Sequence, residues 1–347
     1  MSQPPLVPLP FQRERFLVRW RRRLLSLGGV TLLGALLVAG LPLAIVLGGL
    51  HGLVRPGSQL GVLRTYVTAT WAAGLEVYGS ALLFGAWLAA LGDPARLGAL
   101  TRRVQTHWSS LHVAALRRIF DLRIEAEGVD QIRPRPTIIL MRHTSMLDTI
   151  LPPALLVPAH DTRLRYVLKT ELLIDPCLDI AGNRIPNLFV RRGAKGDAAQ
   201  RELDHMGQLA ATMEGTTAVV LFPEGTRATL EKRERAIDTL ERADDPRLHN
   251  LLTAARRLHH LMPLRLGGAM SLLRGKPDAD VVFVAHVGFD ELTGYSALTG
   301  GKLVRRTVHV RFWRSVIAPP PDDGDALERW LLDRWQEVDD AVGEMKG

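Results

Sequence analysis

Two long apolar stretches near the start of the chain precede shorter segments, in which apolar residues either alternate with polar ones or repeat at helical spacing. No charged residue occurs between Leu24 and Val54, and a second apolar stretch, interrupted by Glu76, covers residues 65–91. Charged and polar residues become frequent after Asp93. A membrane-crossing helix needs about 20 apolar residues. The pattern therefore predicts a membrane anchor of two helices over residues 1–104 and a folded unit over residues 105–347.

The folded unit is predicted to contain alternating strands and helices. Apolar or alternating runs predict strands at "LRIEAEG", at "TIILM" and at residues 216–222, 281–289 and 307–313. Apolar residues at helical spacing predict helices over residues 106–120, 198–213 and 325–342, and a helix near 146–157 that is interrupted by two prolines. Strands that alternate with helices are typical of an α/β sheet.

Arginines flank the two apolar stretches. Arg55 and Arg64 lie between the stretches, whereas larger basic groups lie on either side of them: Arg13, Arg15, Arg19, Arg21, Arg22, Arg23, and then Arg96, Arg102 and Arg103. The positive-inside rule then predicts a transmembrane hairpin with both ends in the cytoplasm. Because a carboxylate is costly inside a bilayer, the helix with Glu76 either spans with Glu76 facing its partner, lies at the interface, or packs as a core helix.

The charge and cysteine content narrow the possible partners. The net charge is +8, and only six of the 44 basic side chains are lysines. A basic net charge is compatible with nucleic acid, an anionic membrane or a phosphorylated substrate as the binding partner. Alternatively, the preference for Arg over Lys reflects the base composition of the genome. No nucleic-acid-binding module is recognisable, so we expect no nucleic-acid partner. The single cysteine, Cys177, excludes an internal disulfide, and His259 and His260 lack the partners of a metal site.

Two motifs directly follow predicted strands. In "HTSMLD", Asp148 comes five positions after His143, and "FPEGTR" occupies residues 222–227. Because ligands bind at the carboxyl ends of strands in open α/β sheets, we expect the motifs to meet in one cleft. A histidine can take the proton of a substrate hydroxyl, and an aspartate can fix its tautomer. The six-residue motif is the more specific signal, since it arises by chance about once in 10⁵ such chains.

The chain resembles the glycerolipid acyltransferases of the lysophosphatidic acid acyltransferase type. The pattern H-x4-D matches "HTSMLD", the motif "FPEGTR" matches as written, and residues 166–192 are similar to the second block of the family. Later segments resemble the lysocardiolipin acyltransferase branch. The resemblance implies a mixed sheet flanked by helices and a site without a metal. It also implies catalytic and substrate-binding residues, namely His143 and Asp148 for catalysis and Arg192, Glu224, Gly225, Thr226 and Arg227 for the substrate.

The chain departs from the family pattern at two positions beside these motifs. Arg142 stands where the family usually has Asn, and Arg191 stands where it usually has Asp. Each change adds positive charge near the expected cleft, which predicts a more anionic acceptor.

The resemblance implies a membrane-bound O-acyltransferase on the cytoplasmic side of a bacterial inner membrane, with no cofactor. Its fatty acyl donor would be acyl-CoA or acyl carrier protein, and its acceptor the free hydroxyl of a lysophospholipid. The default acceptor is 1-acylglycerol-3-phosphate, which gives phosphatidic acid. Alternative acceptors are lysocardiolipin, lysophosphatidylglycerol or a lyso-aminolipid. Alternative functions for the protein are a thioesterase and a non-catalytic lipid-binding membrane protein. Donor, acyl length and oligomeric state stay open.

Overall fold

The structure is a computed structural model that describes residues 14–191, 193–243, 245–290, 292, 295–320 and 324–347. Arg192, one of the predicted substrate-binding residues, lies outside the described residues, as does Arg13 of the basic cluster that precedes the first apolar stretch.

Four helices form the first part of the chain: α1 (Phe16–Ala39), α2 (Leu41–Val54), α3 (Gly61–Ala90) and α4 (Pro94–Phe120). By length and composition, α1 and α3 are apolar enough to cross a membrane. Many large apolar side chains on α1 and α2 are exposed, among them Leu17, Leu24, Leu32, Leu36, Leu43, Leu47 and Leu53. The division expected between residues 104 and 105 falls inside α4, and whether two units meet there stays a prediction.

Helix α3, which contains most of the second apolar stretch, packs against the rest of the protein. Glu76 is buried, and one of its carboxylate oxygens accepts a hydrogen bond from the backbone N–H of Cys177 at 3.1 Å. Farther along α3, the Arg184 guanidinium donates to the carbonyl of Leu83 at 2.6 Å. At the start of α3, the Arg64 guanidinium contacts the carbonyl of Ile119 in α4. Of the alternatives for this segment, the structure therefore shows a packed helix whose carboxylate faces protein.

A seven-stranded sheet forms the centre of the rest of the chain. Its order is β1-β7-β6-β2-β5-β3-β4, and every neighbouring pair is parallel except β6 and β7. The mixed sheet is thus confirmed. The strands are β1 (Arg123–Glu127), β2 (Thr137–Met141), β3 (Arg163–Lys169), β4 (Leu188–Val190), β5 (Thr217–Leu221), β6 (Asp280–Val287) and β7 (Thr307–Arg314).

Helices cover both faces of this sheet. The remaining helices are α5 (Leu151–His160), α6 (Pro176–Gly182), α7 (Asp197–Ala211), α8 (Leu230–Ala243), α9 (His249–Arg257), α10 (Leu266–Gly275), α11 (Tyr295–Thr299) and α12 (Gly324–Lys346). Successive residues of a strand point to opposite faces. Accordingly, Ile138 belongs to the core under α7, α10 and α12, whereas Ile139 belongs to the core under α4 and α5.

The central strands β2 and β5 consist only of buried residues, because they are covered on both faces. Their carboxyl ends lie side by side, since Leu140 pairs with Leu221. Both predicted motifs begin directly beyond this point.

Candidate active site

The sheet brings the two motifs together through backbone contacts. The N–H of His143 donates to a carboxylate oxygen of Glu224 at 2.8 Å. In return, the carbonyl of His143 accepts from the N–H of Ala228 at 2.7 Å. The segment that contains FPEGTR therefore holds the backbone of His143 from both sides, as expected for motifs that follow neighbouring parallel strands.

His143 and Asp148 form a hydrogen-bonded pair. The Nδ1 atom of His143 lies 3.0 Å from Oδ2 of Asp148, whose side chain is fully buried. The same oxygen accepts the backbone N–H groups of Thr144 at 2.6 Å and Ser145 at 2.8 Å. Three donors thus converge on one carboxylate oxygen, and this arrangement fixes the orientation of the histidine ring.

A short helical turn explains the five-residue spacing of this pair. A 3₁₀ helix begins after Ser145 and covers Met146–Ile150, so the chain folds back and returns Asp148 to His143. The hydroxyl of Ser145 accepts the N–H of Leu147 at 3.2 Å and forms a capping box with Asp148. The position of Ser145 therefore agrees with a local hydrogen-bonding role.

The geometry leaves one ring nitrogen of His143 for proton transfer. Because Nδ1 is engaged by Asp148, Nε2 is the nitrogen that can take a proton from a hydroxyl. The ring also lies against Phe222, with 4.6 Å between the ring centroids. The thiol of Cys177 is a poor alternative nucleophile, since it is buried and burial raises the pKa of this thiol.

Glu224 is a buried anchor for two backbone segments. Its side chain is 1% exposed, and its second oxygen accepts the N–H of Met262 at 3.1 Å. Burial raises the pKa of Glu224 to about 8, against the opposing effects of the Arg142 charge and of the two backbone donors. Both oxygens are thus occupied by backbone groups, and a contact between Glu224 and a substrate hydroxyl stays a prediction.

The rest of FPEGTR forms a turn whose arginine is exposed. Gly225 has a φ of +65°, which favours glycine, and a Cβ there would lie 2.5 Å from Cδ of Arg265. The glycine thus makes room for the Arg265 side chain, in addition to any approach of a ligand. Thr226 is half-buried, and the Arg227 side chain is exposed to solvent. That Arg227 and Arg192 together bind the phosphate of the acceptor stays a prediction.

Arg142 does not add free positive charge to the site, contrary to the expectation from the sequence. Its side chain is 2% exposed and forms an ion pair with Asp290. Although burial acts to raise the pKa of Asp290, the Arg142 guanidinium lowers this pKa to about 2. The two charges therefore neutralise each other inside the protein. By contrast, Arg191 is exposed, and its backbone N–H donates to Glu202.

Two supporting residues could not be assigned from sequence. Asp339 of α12 is buried and accepts the N–H groups of His259, His260 and Leu261 at 2.7–2.8 Å. It thereby holds the segment whose next residue donates to Glu224. His286 is fully buried beside Asp148. The one sequence feature that could have identified it is that it is the single histidine inside the apolar run "VVFVAHV".

Across the described ranges, no group of three or more His, Cys, Asp or Glu residues is arranged to hold a metal ion.

Comparison with known proteins finds one matching domain and several similar chains. Residues 123–267 match the family model described as Acyltransferase. The chain is 25% identical to lysocardiolipin acyltransferase 1 of Danio rerio over 267 residues, which cover 76% of this chain and 66% of that protein. It is 22% identical to lysocardiolipin acyltransferase 1 of Gallus gallus, covering 76% of this chain and 68% of that protein.

The chain thus spans about two thirds of the length of these relatives. Its fold is similar to that of the 1-acyl-sn-glycerophosphate (LPA) acyltransferase PlsC from Thermotoga maritima, with a TM-score of 0.53 and 17% identity. That match covers 84% of this chain and 97% of the other. The chain thus resembles the acyltransferase family in sequence over residues 123–267, and its fold is similar to that of a glycerolipid acyltransferase.

Proposed function

We propose that the protein transfers a fatty acyl group from acyl-CoA or acyl carrier protein to the free hydroxyl of a lysophospholipid. The acceptor we propose is 1-acylglycerol-3-phosphate, which gives phosphatidic acid. The observation that carries this proposal is the His143–Asp148 pair, with its 3.0 Å hydrogen bond and its buried carboxylate. A histidine held in this way is suited to act as a general base on an alcohol.

The reaction would proceed by direct transfer. Nε2 of His143 takes the proton as the acceptor oxygen attacks the thioester carbon. The C–S bond then breaks, and the proton passes to the departing thiolate. A thiol with an ordinary pKa near 8.5 leaves readily, so the step needs neither a further acid nor a cofactor.

The apolar helices support a substrate taken from a membrane. The N-terminal helices and the likeness to lipid acyltransferases indicate membrane association. Arg22 and Arg23 near the start of α1 form ion pairs with the buried Asp179 of α6 at 3.0 and 3.3 Å. We propose that these contacts keep the basic end of α1 and the α/β part on one side of the membrane, which is the cytoplasmic side if the positive-inside rule applies.

A second acceptor is favoured by one observation. Both curated relatives named above are lysocardiolipin acyltransferases, although they are at most 25% identical to this chain. Lysocardiolipin carries two phosphates, so exposed arginines such as Arg227 and Arg191 could bind it as readily as a single phosphate.

A direct assay separates these possibilities. Purified protein is incubated with labelled acyl-CoA or acyl carrier protein and a panel of lysolipids, and the products are resolved by mass spectrometry. We expect acylated lysolipid, with phosphatidic acid formed fastest, and a rate that is roughly 10² to 10⁴-fold lower with His143→Ala. Release of free fatty acid alone would indicate a thioesterase, and a wild-type protein without any turnover would contradict the proposal.

Binding of the acceptor phosphate by Arg227 and Arg192 has its own test. We expect Arg227→Ala and Arg192→Ala each to lower kcat/KM for a phosphorylated acceptor by roughly ten- to hundred-fold, because a charge-assisted hydrogen bond is lost. Arg235→Ala is the matched control, since Arg235 is exposed on α8 and pairs with Glu231 one turn away. An equal loss with a neutral acceptor would show that these arginines do not bind the phosphate.

A further inference from the structure

His286 of β6 is a buried neighbour of the His143–Asp148 pair. Strand β6 is parallel to β2, with Val284 opposite Met141, so His286 lies two residues beyond the last paired position, level with His143. The Nε2 atom of His286 is 3.1 Å from the carbonyl oxygen of Arg142 and 3.5 Å from Oδ1 of Asp148. One ring nitrogen therefore faces both the peptide that precedes His143 and the carboxylate that orients it.

The Oδ1 atom of Asp148 lacks a hydrogen-bond donor among the described residues. Oδ2 of Asp148 accepts three hydrogen bonds, whereas Oδ1 is buried and has no hydrogen-bond partner among the described residues. A buried carboxylate oxygen without a donor is costly. The nitrogen that faces Oδ1 is Nε2 of His286, and a small rotation of the carboxylate would bring the pair into hydrogen-bonding range.

The proton of His286 has a defined place. Burial lowers the pKa of His286, so the ring is neutral and carries one proton. Nε2 faces two oxygens, whereas Nδ1 is buried with no partner within the described part of the chain. The proton therefore belongs on Nε2. The charged groups that surround this ring are Asp148, Asp290 and Arg142.

Reciprocal contacts hold the ring in place. The Arg142 guanidinium donates to the carbonyl of His286 at 2.5 Å and pairs with Asp290, while His286 donates to the carbonyl of Arg142. Asp290 also pairs with Lys346 at the end of α12, at 3.2 Å. The ends of β2 and β6 are thus bonded to each other, and the His286 ring is aimed at Asp148.

We propose that His286 is a positioning residue for acyl transfer, because its Nε2 proton is shared between the carbonyl of Arg142 and Oδ1 of Asp148. The shared proton keeps the Asp148 carboxylate oriented so that Oδ2 faces His143. It also limits how strongly this carboxylate attracts the proton of the His143 imidazolium. The inference rests on the proposed function, since it assigns a role in the same site. If His286 served only the packing of the sheet, its removal would change stability and leave kcat unaltered.

Two substitutions separate positioning from packing. In His286→Gln, the amide can place an N–H near the position of Nε2, whereas His286→Met has a similar volume and no donor. We expect His286→Met to lower kcat by roughly ten- to hundred-fold with KM unchanged, and His286→Gln to keep most of the activity. The control is His309→Met, at a histidine on β7 that is 46% exposed.

The pH profile gives a readout that packing alone would not change. Without the shared proton, Asp148 attracts the imidazolium more strongly, so the acid limb of kcat/KM should move to higher pH by about one unit in His286→Met. The other ionisable groups around this cluster, Glu224, Arg142 and Asp290, are the same in every variant. A wild-type kcat and pH profile in a folded His286→Met would overturn the proposal.

A second measurement applies to the wild-type protein even if His286→Met fails to fold. In ¹⁵N-histidine-labelled protein, NMR should show His286 as a neutral ring protonated on Nε2 at pH 7. A proton on Nδ1, or a charged ring, would reject the inference. This measurement needs no turnover, so its failure is distinct from a failure of wild-type protein to transfer acyl groups, which would reject the proposed function instead.

Discussion

A single carboxylate oxygen of Asp148 contacts the ring of His143, so under the proposed mechanism the two residues should act as one unit. We expect His143→Ala to lower kcat by roughly 10² to 10⁴-fold, since proton abstraction is lost. Asp148→Asn should also cause a large loss, because an amide would face three donors with at most one acceptor. Steady-state kinetics of the double variant should show far less than the product of the two losses. Multiplicative losses would mean that the residues work independently.

Glu224 gives a residue-scale prediction about stability and pH. Burial raises its pKa to about 8 from an ordinary value of 4.5, so the folded protein retains a proton that the unfolded chain has lost. The resulting stability is fully present below pH 4.5 and is lost as pH rises through 8. The loss should be on the order of a few kcal/mol, and it should be absent in Glu224→Gln, which resembles the protonated form.

Denaturation of both proteins in detergent between pH 5 and 8 measures this difference. Parallel curves for the wild type and Glu224→Gln would show that Glu224 is ionised throughout. In that case the Arg142 charge and the two backbone donors would outweigh burial.

Among the elements, α3 depends on a small residue where it crosses its neighbours. A Cβ at Gly79 would lie 2.6 Å from the sulfur of Cys177 and 2.9 Å from the Trp108 ring. Gly79→Ala should therefore destabilise the protein by about 1–3 kcal/mol, because the contact is overpacked. Gly85 is the control in the same helix, since a Cβ there would meet nothing within 4 Å.

We expect Gly85→Ala to be neutral or to stabilise by up to about 1 kcal/mol, since Ala favours helix over Gly. Thermal unfolding in detergent compares the two variants. Similar melting temperatures for both would mean that α3 is not packed against α4 and α6 as described.

Elements with strong periodicity were predictable, and elements with short or interrupted patterns were not. Strand β2 was predicted at its observed bounds, and α7 and α12 nearly so, because buried runs and amphipathic stripes are local signals. Strands β3 and β4 were not predicted as strands: β3 contains three basic residues, and β4 has only three residues. The prolines expected to interrupt a helix near residue 152 instead lie in the first turn of α5.

The site shows the same division between local and distant signals. His143, Asp148 and FPEGTR were found as motifs, and their meeting followed from the edge of the sheet. The partners of these residues were not predictable, because Met262, His286 and Asp339 come from distant segments whose register only the folded sheet defines. For the same reason, the sequence alone did not show that Asp290 neutralises Arg142.

At the scale of the whole molecule, the hairpin of α1–α3 touches the α/β part at both of its ends. Asp179 binds Arg22 and Arg23 near the start of α1, while the backbone at Ser58 lies against that of Gly301 in the turn that leads into α3. A helix of 30 residues such as α3 is about 45 Å long, so its two ends reach well-separated parts of the α/β unit. The hairpin therefore lies along this unit, with its apolar outer face exposed.

Cysteine labelling tests this arrangement. In sealed vesicles, a cysteine introduced in place of Arg15, Gly57 or Arg96, one at a time, should react with an impermeant maleimide from the side that carries the α/β part. Cys177 is buried and should react slowly. A spanning hairpin, as the charge pattern favours, would place Gly57 on the opposite side. Labelling of Gly57→Cys only from that side would reject the arrangement seen here.

The order of strands in the sheet has a consequence for biogenesis. The first strand, β1, pairs with the last, β7, and β2 needs β6 beside it before His286 can reach Asp148. Asp339, which secures the segment that anchors Glu224, leaves the ribosome roughly 10–40 s after His143 at ordinary rates of synthesis. The helices α1 to α4, in contrast, precede both motifs in the chain and contact one another locally. A nascent chain can thus settle on a bilayer while both motifs are already synthesised, and the contacts that complete the candidate site form only after Asp339 has emerged.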